Sequence, residues 1–177
     1  MAIHSTSIVE DGARLGAGVE IGPFCHVGPR VTLGDGVRLL SHVSITGVTT
    51  IGARTKIYPQ AALGGDGQIR NNDFTDGELH VGEDSVLREM VSMSCGSRKG
   101  GGVTRVFCRG CYMANSHVGH DCLVGDDVPF ANSVCLGGHV TIGDKVIFGG
   151  LAAVQPFCRV GRGAMVGGLT GVNRDVI

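Results

Sequence analysis

The sequence predicts an all-β fold, a parallel β-helix, and three observations support that prediction. Large aliphatic or aromatic residues recur every six positions through most of the chain. Glycine often follows them directly, and a small or β-branched residue stands four positions later. This spacing matches neither the 3.6-residue period of a helix nor the two-residue period of one long strand. It indicates a solenoid in which each repeat forms one short strand and one corner.

The repeat runs in two stretches that each keep their phase. The first runs from Ile3 to Leu63 and the second from Val106 to Val172. Three repeats complete one coil, so residues 18 positions apart should lie one strand spacing apart, about 4.8 Å. The large residue and the small residue four positions later point inward, and glycine relieves the corner. We therefore expect a single β-helix domain over residues 1–177.

Two segments interrupt the period and predict loops at about 64–80 and 95–105. In the first, Leu63 and Val81 remain 18 positions apart, but residues 64–73 lack the aliphatic pattern, which predicts a loop replacing most of one coil. In the second, the period jumps by 13 positions from Met93 to Val106, which predicts a loop with one extra residue. Insertions in solenoids tend to lie on one face, often the binding face.

Composition excludes several classes of protein. The formal net charge of −1 gives no argument for nucleic acid or a membrane surface. The seven cysteines are an odd number with no signal peptide before them, so we expect a reduced, cytoplasmic protein. Cys25, Cys122 and Cys158 stand at inward positions and should fill the core. No apolar run approaches the ~18 residues that span a bilayer.

The segment 115–122 carries the candidate chemistry. His117, His120 and Asp121 place two imidazoles and a carboxylate within five residues, and imidazole takes and returns a proton near neutral pH. Adding 18 positions stacks Gly138 on His120, and His139 on Asp121. A base beside a glycine amide is the minimum for acyl transfer, because the base activates a nucleophile and the amide stabilises the oxyanion.

These segments resemble a specific family, the UDP-N-acetylglucosamine O-acyltransferases that begin lipid A synthesis. The likeness covers essentially the whole chain. The matching segments are 21–25, 41–43, 100–104, 115–122, 138–140, 153–154, 157–158, 166–168 and 171–172.

The resemblance implies a left-handed β-helix that assembles as a homotrimer, with active sites between subunits. The acyl donor would be a thioester on the phosphopantetheine of acyl carrier protein, with no bound cofactor and no metal. The acceptor would be a hydroxyl, or an amine, of a nucleotide sugar, most simply UDP-N-acetylglucosamine.

The resemblance also assigns roles. His120 is similar to the general base, Asp121 to its support and Gly138 to the oxyanion donor, while His117 and His139 resemble residues that position the substrate. The remaining substrate-binding residues implied are Gln68, Gly150, Gln155 and Gly168. Of these, Gly150 would offer an amide to the acyl chain, and Gly168 would lie along the acyl groove, where a larger residue would shorten the accepted chain.

The sequence departs from the family pattern on the acceptor side. Gln155-Pro156 replaces a His-Gln pair, and Ser94-Cys95-Gly96 replaces His-Arg-Gly. Gln68 is kept without the Asp and Lys that usually follow it. The sequence ends at Ile177, where the family continues into a helical domain that helps bind the nucleotide, so we expect a short or divergent member.

Two other interpretations stay open at this point. A γ-class carbonic anhydrase shares the solenoid and holds zinc with three histidines, although the spacing of His117 and His120 matches that site poorly. An inactive trimeric scaffold is the non-enzyme alternative. Basic residues that could dock an acidic carrier protein are Arg98, Lys99, Arg105, Arg109, Arg159 and Arg162.

Overall fold

The computed structural model describes residues 2–70 and 76–177 and confirms the predicted parallel β-helix. The described part forms three parallel sheets of nine, nine and eight strands. The strands are β1 (Ala2–Ile3), β2 (Ile8–Val9), β3 (Arg14–Leu15), β4 (Glu20–Ile21), β5 (His26–Val27), β6 (Val31–Leu33), β7 (Arg38–Leu39), β8 (Ser44–Ile45), β9 (Val48–Ile51), β10 (Lys56–Ile57), β11 (Ala62–Gly65), β12 (Glu78–Val81), β13 (Val86–Leu87), β14 (Ser92–Ser94), β15 (Val103–Val106), β16 (Cys111–Tyr112), β17 (His117–Val118), β18 (Leu123–Val124), β19 (Pro129–Phe130), β20 (Cys135–Leu136), β21 (Thr141–Ile142), β22 (Ile147–Phe148), β23 (Ala153–Val154), β24 (Arg159–Val160), β25 (Met165–Val166) and β26 (Gly171–Val172).

Successive strands pass in turn through sheet A, which begins with β1, sheet B, which begins with β2, and sheet C, which begins with β3. We name the three edges of this prism A–B, B–C and C–A after the sheets that they join. Outside the insertions, paired residues are 18 positions apart, as in Ile3 with Ile21 and Val106 with Val124. The stacking rule read from the sequence therefore holds in the ladder.

Both insertions leave the B–C edge, one coil apart. The first lies between β11 and β12 (residues 66–77) and the second between β14 and β15 (residues 95–102). A short 3-10 helix, Arg98–Gly100, lies within the second insertion. At the same edge, the next coil needs only residues 119–122 to pass from β17 to β18. The second insertion therefore lies one coil before the turn that carries His120, and the first insertion lies two coils before it.

The predicted loop bounds and the predicted loop structure both need correction. Strand pairing extends into both ends of the first predicted loop, because β11 reaches Gly65 and β12 begins at Glu78, and into the end of the second, because β15 begins at Val103. The first insertion replaces no coil: it is added to one, so that Ile51 pairs with Val81, 30 positions later. The second adds seven residues rather than one, since Val81 pairs with Val106, 25 positions later. Residues 71–75 of the first predicted loop lie outside the described residues.

The inside of the prism is filled by the residues that keep the six-residue period. Tyr112, Phe130 and Phe148 stack edge to face in successive coils, with ring centroids 5.0 Å apart at each step. Cys25, Cys122 and Cys158 are 2%, 1% and 7% exposed, which confirms them as core residues. Each large aliphatic or aromatic side chain buried in this way contributes about 1.5–3 kcal/mol. The core thus holds the coils in register and fixes which side chains reach the edges.

The corners set the direction of the side chains at the edges. The third residue after each inward residue adopts a left-handed backbone at many corners, including Asp121 (φ 60°), Asp127 (φ 57°) and His139 (φ 62°). Aspartate, asparagine and histidine adopt this region more readily than most other residues.

Within residues 2–70 and 76–177, no helix has the length and apolar character to cross a lipid bilayer.

Candidate active site

The turn between β17 and β18 places His120 and Asp121 on the B–C edge, and the next coil places Gly138 and His139 beside them. The His139 N–H donates to the His120 carbonyl at 2.9 Å. The structure therefore brings together the four residues that the 18-residue offset pairs.

His120 and Asp121 form a buried pair. The His120 Nδ1 atom lies 2.7 Å from Asp121 Oδ2, and their side chains are 15% and 1% exposed. Burial raises the pKa of the Asp121 carboxyl, but hydrogen bonds from Ser97 and His120 and the nearby His139 outweigh burial and lower it below its ordinary value. An ionised carboxylate only accepts hydrogen bonds, so the neutral imidazole carries its proton on Nδ1. His120 Nε2 is then left with a free lone pair.

Gly138 lies against the edge of the imidazole that bears Nε2. A β-carbon at Gly138 would overlap His120 Cε1 and Nε2, so any larger residue would have to displace the imidazole. Gly138 is buried, and its carbonyl accepts from the Phe157 N–H at 3.1 Å. Its own N–H has no hydrogen-bond partner among the described residues. A buried, unpartnered amide next to a base is an available donor for developing negative charge.

His139 completes the polar group and connects it to an exposed aromatic ring. Its Nε2 lies 3.7 Å from Asp121 Oδ2, and its ring stands edge-on to His120 at 5.1 Å. On its other side, His139 stacks flat on Phe157, with centroids 4.5 Å apart and planes 8° apart. Phe157 is 71% exposed. The stack orients His139 without using either ring nitrogen.

His117 lies on the outer face of sheet B and is held in its neutral form. Its Nδ1 lies 2.8 Å from the Ser92 hydroxyl of the preceding coil. Burial, and next the nearby His120, lower the pKa of His117 below its ordinary value. At neutral pH the imidazole therefore serves as a hydrogen-bonding group without charge.

The first insertion packs against His120. A β-carbon at Gly67 would lie 3.0 Å from His120 Cβ, so this backbone passes directly over the histidine. Gln68 is exposed, and it lines a small cleft together with Asp66, Ser92 and Ser94. Ser92, on the wall of this cleft, also contacts His117.

Of the other three residues from the sequence prediction, one lies on the same edge as the histidines and two lie on another edge. Gln155 follows β23 at the B–C edge and is exposed. Gly150 and Gly168 lie on the A–B edge, in the turns before β23 and β26. These two glycines stack on each other, and the Gly150 carbonyl accepts from the Leu169 N–H at 2.9 Å. The chain by itself does not bring Gly150 and Gly168 to His120.

Sequence reasoning missed two residues that hold Asp121. Ser97, in the second insertion, donates to Asp121 from its backbone N–H at 2.8 Å and from its hydroxyl at 2.5 Å. The Asp121 N–H donates to the Thr104 hydroxyl at 2.8 Å. The sequence signal for the Ser97 contacts was the insertion itself, which precedes the histidine segment by one coil, and Thr104 lies in the matching segment 100–104.

The same group offers ligands to a cation. His120, Asp121 and His139 each present one ligand atom, and these atoms lie within 4.8 Å of one another. Both oxygens of Asp121 already accept hydrogen bonds from Ser97, and Oδ2 also accepts from His120. The bonding present therefore suits proton transfer, and a metal would have to replace part of it.

Comparisons with known proteins agree with the fold. Residues 12–47 match the family described as bacterial transferase hexapeptide (six repeats). The chain is 47% identical, over 99% of its own length, to an acyl-[acyl-carrier-protein]–UDP-N-acetylglucosamine O-acyltransferase of Agrobacterium fabrum, and 51% identical, again over 99%, to that of Rhizobium johnstonii. It spans only 65% and 64% of those two relatives.

Solved structures give the same result. The chain superposes on the UDP-N-acetylglucosamine O-acyltransferase from Moraxella catarrhalis with a TM-score of 0.97 and 36% identity. For the UDP-N-acetylglucosamine acyltransferase from Campylobacter jejuni, the TM-score is 0.96 and the identity 31%. Each superposition covers 99% of this chain and 68% of the other. The agreement supports a left-handed coil.

Proposed function

Because this chain belongs to the family of acyl-[acyl-carrier-protein]–UDP-N-acetylglucosamine O-acyltransferases, we propose that it transfers a fatty acyl group to UDP-N-acetylglucosamine. The donor is a thioester on the phosphopantetheine of acyl carrier protein, and the acceptor atom is a sugar hydroxyl. The observation that carries the proposal is the His120–Asp121 pair lying against Gly138.

In the proposed reaction, His120 Nε2 takes the proton of the acceptor hydroxyl as that oxygen attacks the thioester carbonyl carbon. A C–O bond forms, and the carbonyl electron pair moves to oxygen, where the Gly138 N–H stabilises it. When the intermediate collapses, the C–S bond breaks and the imidazolium returns the proton to the departing sulfur. Asp121 stabilises the imidazolium and keeps the proton of the neutral ring on Nδ1.

The acceptor is positioned from the first insertion and from sheet B. Gln68 and the hydroxyl-lined cleft lie beside His117, whose uncharged ring can hydrogen-bond a sugar or phosphate group. His139 lies against the His120 ring from the coil that follows His120. Gln155 lies on the coil that follows His139. These four residues form the proposed acceptor side of the site.

The acyl chain is bound by Gly150 and Gly168, which requires a second subunit. Both glycines lie on the A–B edge, whereas the base lies on the B–C edge. Exposed apolar side chains cluster near those glycines: Leu151 is 60%, Met165 74% and Leu169 80% exposed. A homotrimer in which the A–B edge of one chain faces the B–C edge of the next would cover this surface and complete the site.

Basic residues near the site support docking of an acidic carrier protein. Lys99 is exposed in the short 3-10 helix of the second insertion, and Arg105 and Arg159 point outward from sheet C. Arg109, by contrast, is paired with Asp127 at 2.7 Å on the C–A edge and is dropped from the proposed surface. A cytoplasmic location is consistent with this partner and with the seven free thiols.

The test is mass spectrometry of the products formed from a panel of acyl carrier protein thioesters and nucleotide sugars. Wild-type protein should form an acylated UDP-N-acetylglucosamine, and His120→Ala should reduce the rate about 10³-fold. His26→Ala, a change on the same outer face of sheet B, serves as the matched control and should keep the wild-type rate. Wild-type protein that consumes no thioester would contradict the proposal and favour a scaffold. Purified protein that contains one metal ion per chain and catalyses the hydration of carbon dioxide would favour the carbonic anhydrase interpretation.

A further inference from the structure

Ser97 is the residue of the second insertion that contacts the proposed catalytic pair. It is 2% exposed, and all of its polar groups are used. Its carbonyl accepts the N–H groups of Gly100 and Gly102 at 3.1 and 2.9 Å, which closes the insertion into a compact turn. Its N–H donates to Asp121 Oδ1, and its hydroxyl donates to Asp121 Oδ2.

The direction of the Ser97 hydroxyl departs from what its position predicts. Ser97 is the N-cap residue of the 3-10 helix Arg98–Gly100 and has an extended backbone (φ −116°, ψ 159°). A serine in that place ordinarily accepts a hydrogen bond from the turn that it begins. Here the hydroxyl makes no capping bond. It donates instead to Asp121 Oδ2, the same oxygen that faces His120 Nδ1.

The rest of the turn packs on the same carboxylate. A β-carbon at Gly100 would overlap the Asp121 carboxyl group, so the backbone of the turn covers it directly. The Asp121 N–H donates to the hydroxyl of Thr104, a fully buried residue of β15 in the preceding coil. Asp121 is therefore fixed by Ser97 and Gly100 of the insertion and by Thr104 of β15, and His120 is fixed through Asp121.

We propose that Ser97 is a positioning residue for the acyl-transfer reaction, which keeps Asp121 an acceptor-only carboxylate and so keeps the His120 proton on Nδ1. This inference rests on the proposed function for its kinetic consequence but not for its structural one. Two donors on the carboxylate favour its ionised form and share its negative charge. The carboxylate then has no proton to offer to His120, and the imidazole keeps Nε2 as the base.

The test compares Ser97→Ala with Ser97→Thr, since threonine keeps the hydroxyl and suits an extended backbone. Ser97→Ala should lower kcat about tenfold with little change in KM, because Ser97 does not contact substrate. The acidic limb of its pH–rate profile should move to lower pH, since a carboxylate that is held by one donor fewer faces Nδ1 less well and stabilises the imidazolium less. Ser97→Thr should restore both quantities. Ser85→Ala, a fully buried serine on the C–A edge, is the control for losing a buried hydroxyl.

A second readout does not depend on turnover. Nitrogen NMR of the His120 ring should show the Nδ1–H tautomer in wild-type protein and a mixture of tautomers in Ser97→Ala. If wild-type protein transfers no acyl group, the proposed function fails and this measurement still decides the role of Ser97. Should Ser97→Ala fail to fold, Ser97→Cys keeps the volume with a weaker donor and should give a smaller shift of the same sign. An unchanged tautomer and an unchanged acidic limb would overturn the inference.

Discussion

Asp121 and Asp127 occupy the same place in the six-residue repeat, and they differ in nearly everything else. Each is the third residue after an inward valine, and each has a left-handed backbone, with φ of 60° and 57°. Asp121 lies on the B–C edge with a side chain that is 1% exposed, while Asp127 lies on the C–A edge and is 38% exposed. The repeat therefore dictates the backbone but leaves the environment open.

The partners of the two carboxylates follow from that difference. Asp127 accepts from the Arg109 guanidinium at 2.7 and 3.1 Å, and this bond, despite partial desolvation, lowers the pKa of Asp127. Asp121 is covered by the insertion of residues 95–102 and accepts instead from Ser97 and His120. An exposed ion pair contributes little to stability, whereas a buried carboxylate with fixed donors can control a neighbouring imidazole. The insertion, and not the repeat, gives Asp121 its buried environment.

The sharpest test of this comparison is to neutralise each carboxylate by the same change. Asp121→Asn should reduce acyl transfer about 10³-fold, because an amide can no longer fix the proton on Nδ1. Asp127→Asn should stay within about twofold of wild type, since the pair with Arg109 does not touch the site. Initial rates with one acyl carrier thioester measure both. Equal losses in the two variants would contradict the proposed difference between the edges.

The next effect in size concerns the glycine that faces His120. Gly138→Ala should reduce kcat about 10²-fold, because the added methyl group displaces the imidazole from the proposed oxyanion donor. Gly171→Ala is the matched control, since nothing lies within 4 Å of the position of its new β-carbon. Thermal unfolding of both variants separates loss of activity from loss of fold. Wild-type kcat in a folded Gly138→Ala protein would argue against the proposed role.

A smaller effect should appear in the pH dependence of stability. The pKa of His117 in the folded protein lies below its ordinary value of 6.5, so the folded state binds a proton less readily than the unfolded state. Stability from this group is complete above pH 6.5 and is lost as pH falls through the lowered pKa, with a slope of up to about 1.4 kcal/mol per pH unit. Urea unfolding from pH 7 to 5 measures it. His117→Gln should have a shallower slope than wild type, and an identical slope would refute the prediction.

The smallest expected effect on activity and stability comes from removing the ion pair between Arg109 and Asp127 on the C–A edge. Arg109→Ala removes an exposed partner of Asp127 and should leave the unfolding midpoint and the acyl-transfer rate unchanged. Wild-type protein and Arg109→Ala should also agree with each other at both low and high salt, because an exposed ion pair contributes little even before salt screens it. A large loss of activity in Arg109→Ala would return this residue to the proposed carrier-protein surface.

The sequence alone determined the solenoid and one pairing rule. A six-residue period allows only short strands joined by corners, and parallel pairing then repeats every 18 residues wherever the period is intact. That rule was enough to place Gly138 beside His120 and His139 beside Asp121. It also identified Cys25, Cys122 and Cys158 as core residues, since their positions face inward.

Only the tertiary structure decided what surrounds Asp121. The offsets across the insertions are 30 and 25 positions, and a segment without a repeat carries no rule that predicts them. The contacts of Ser97 with Asp121, and of Ser92 with His117, depend on those offsets. Periodic residues are constrained by their neighbours in the ladder, whereas the path of an insertion is set by the side chains that it happens to cover. The candidate base could therefore be found from its spacing, but the residues that hold it could not.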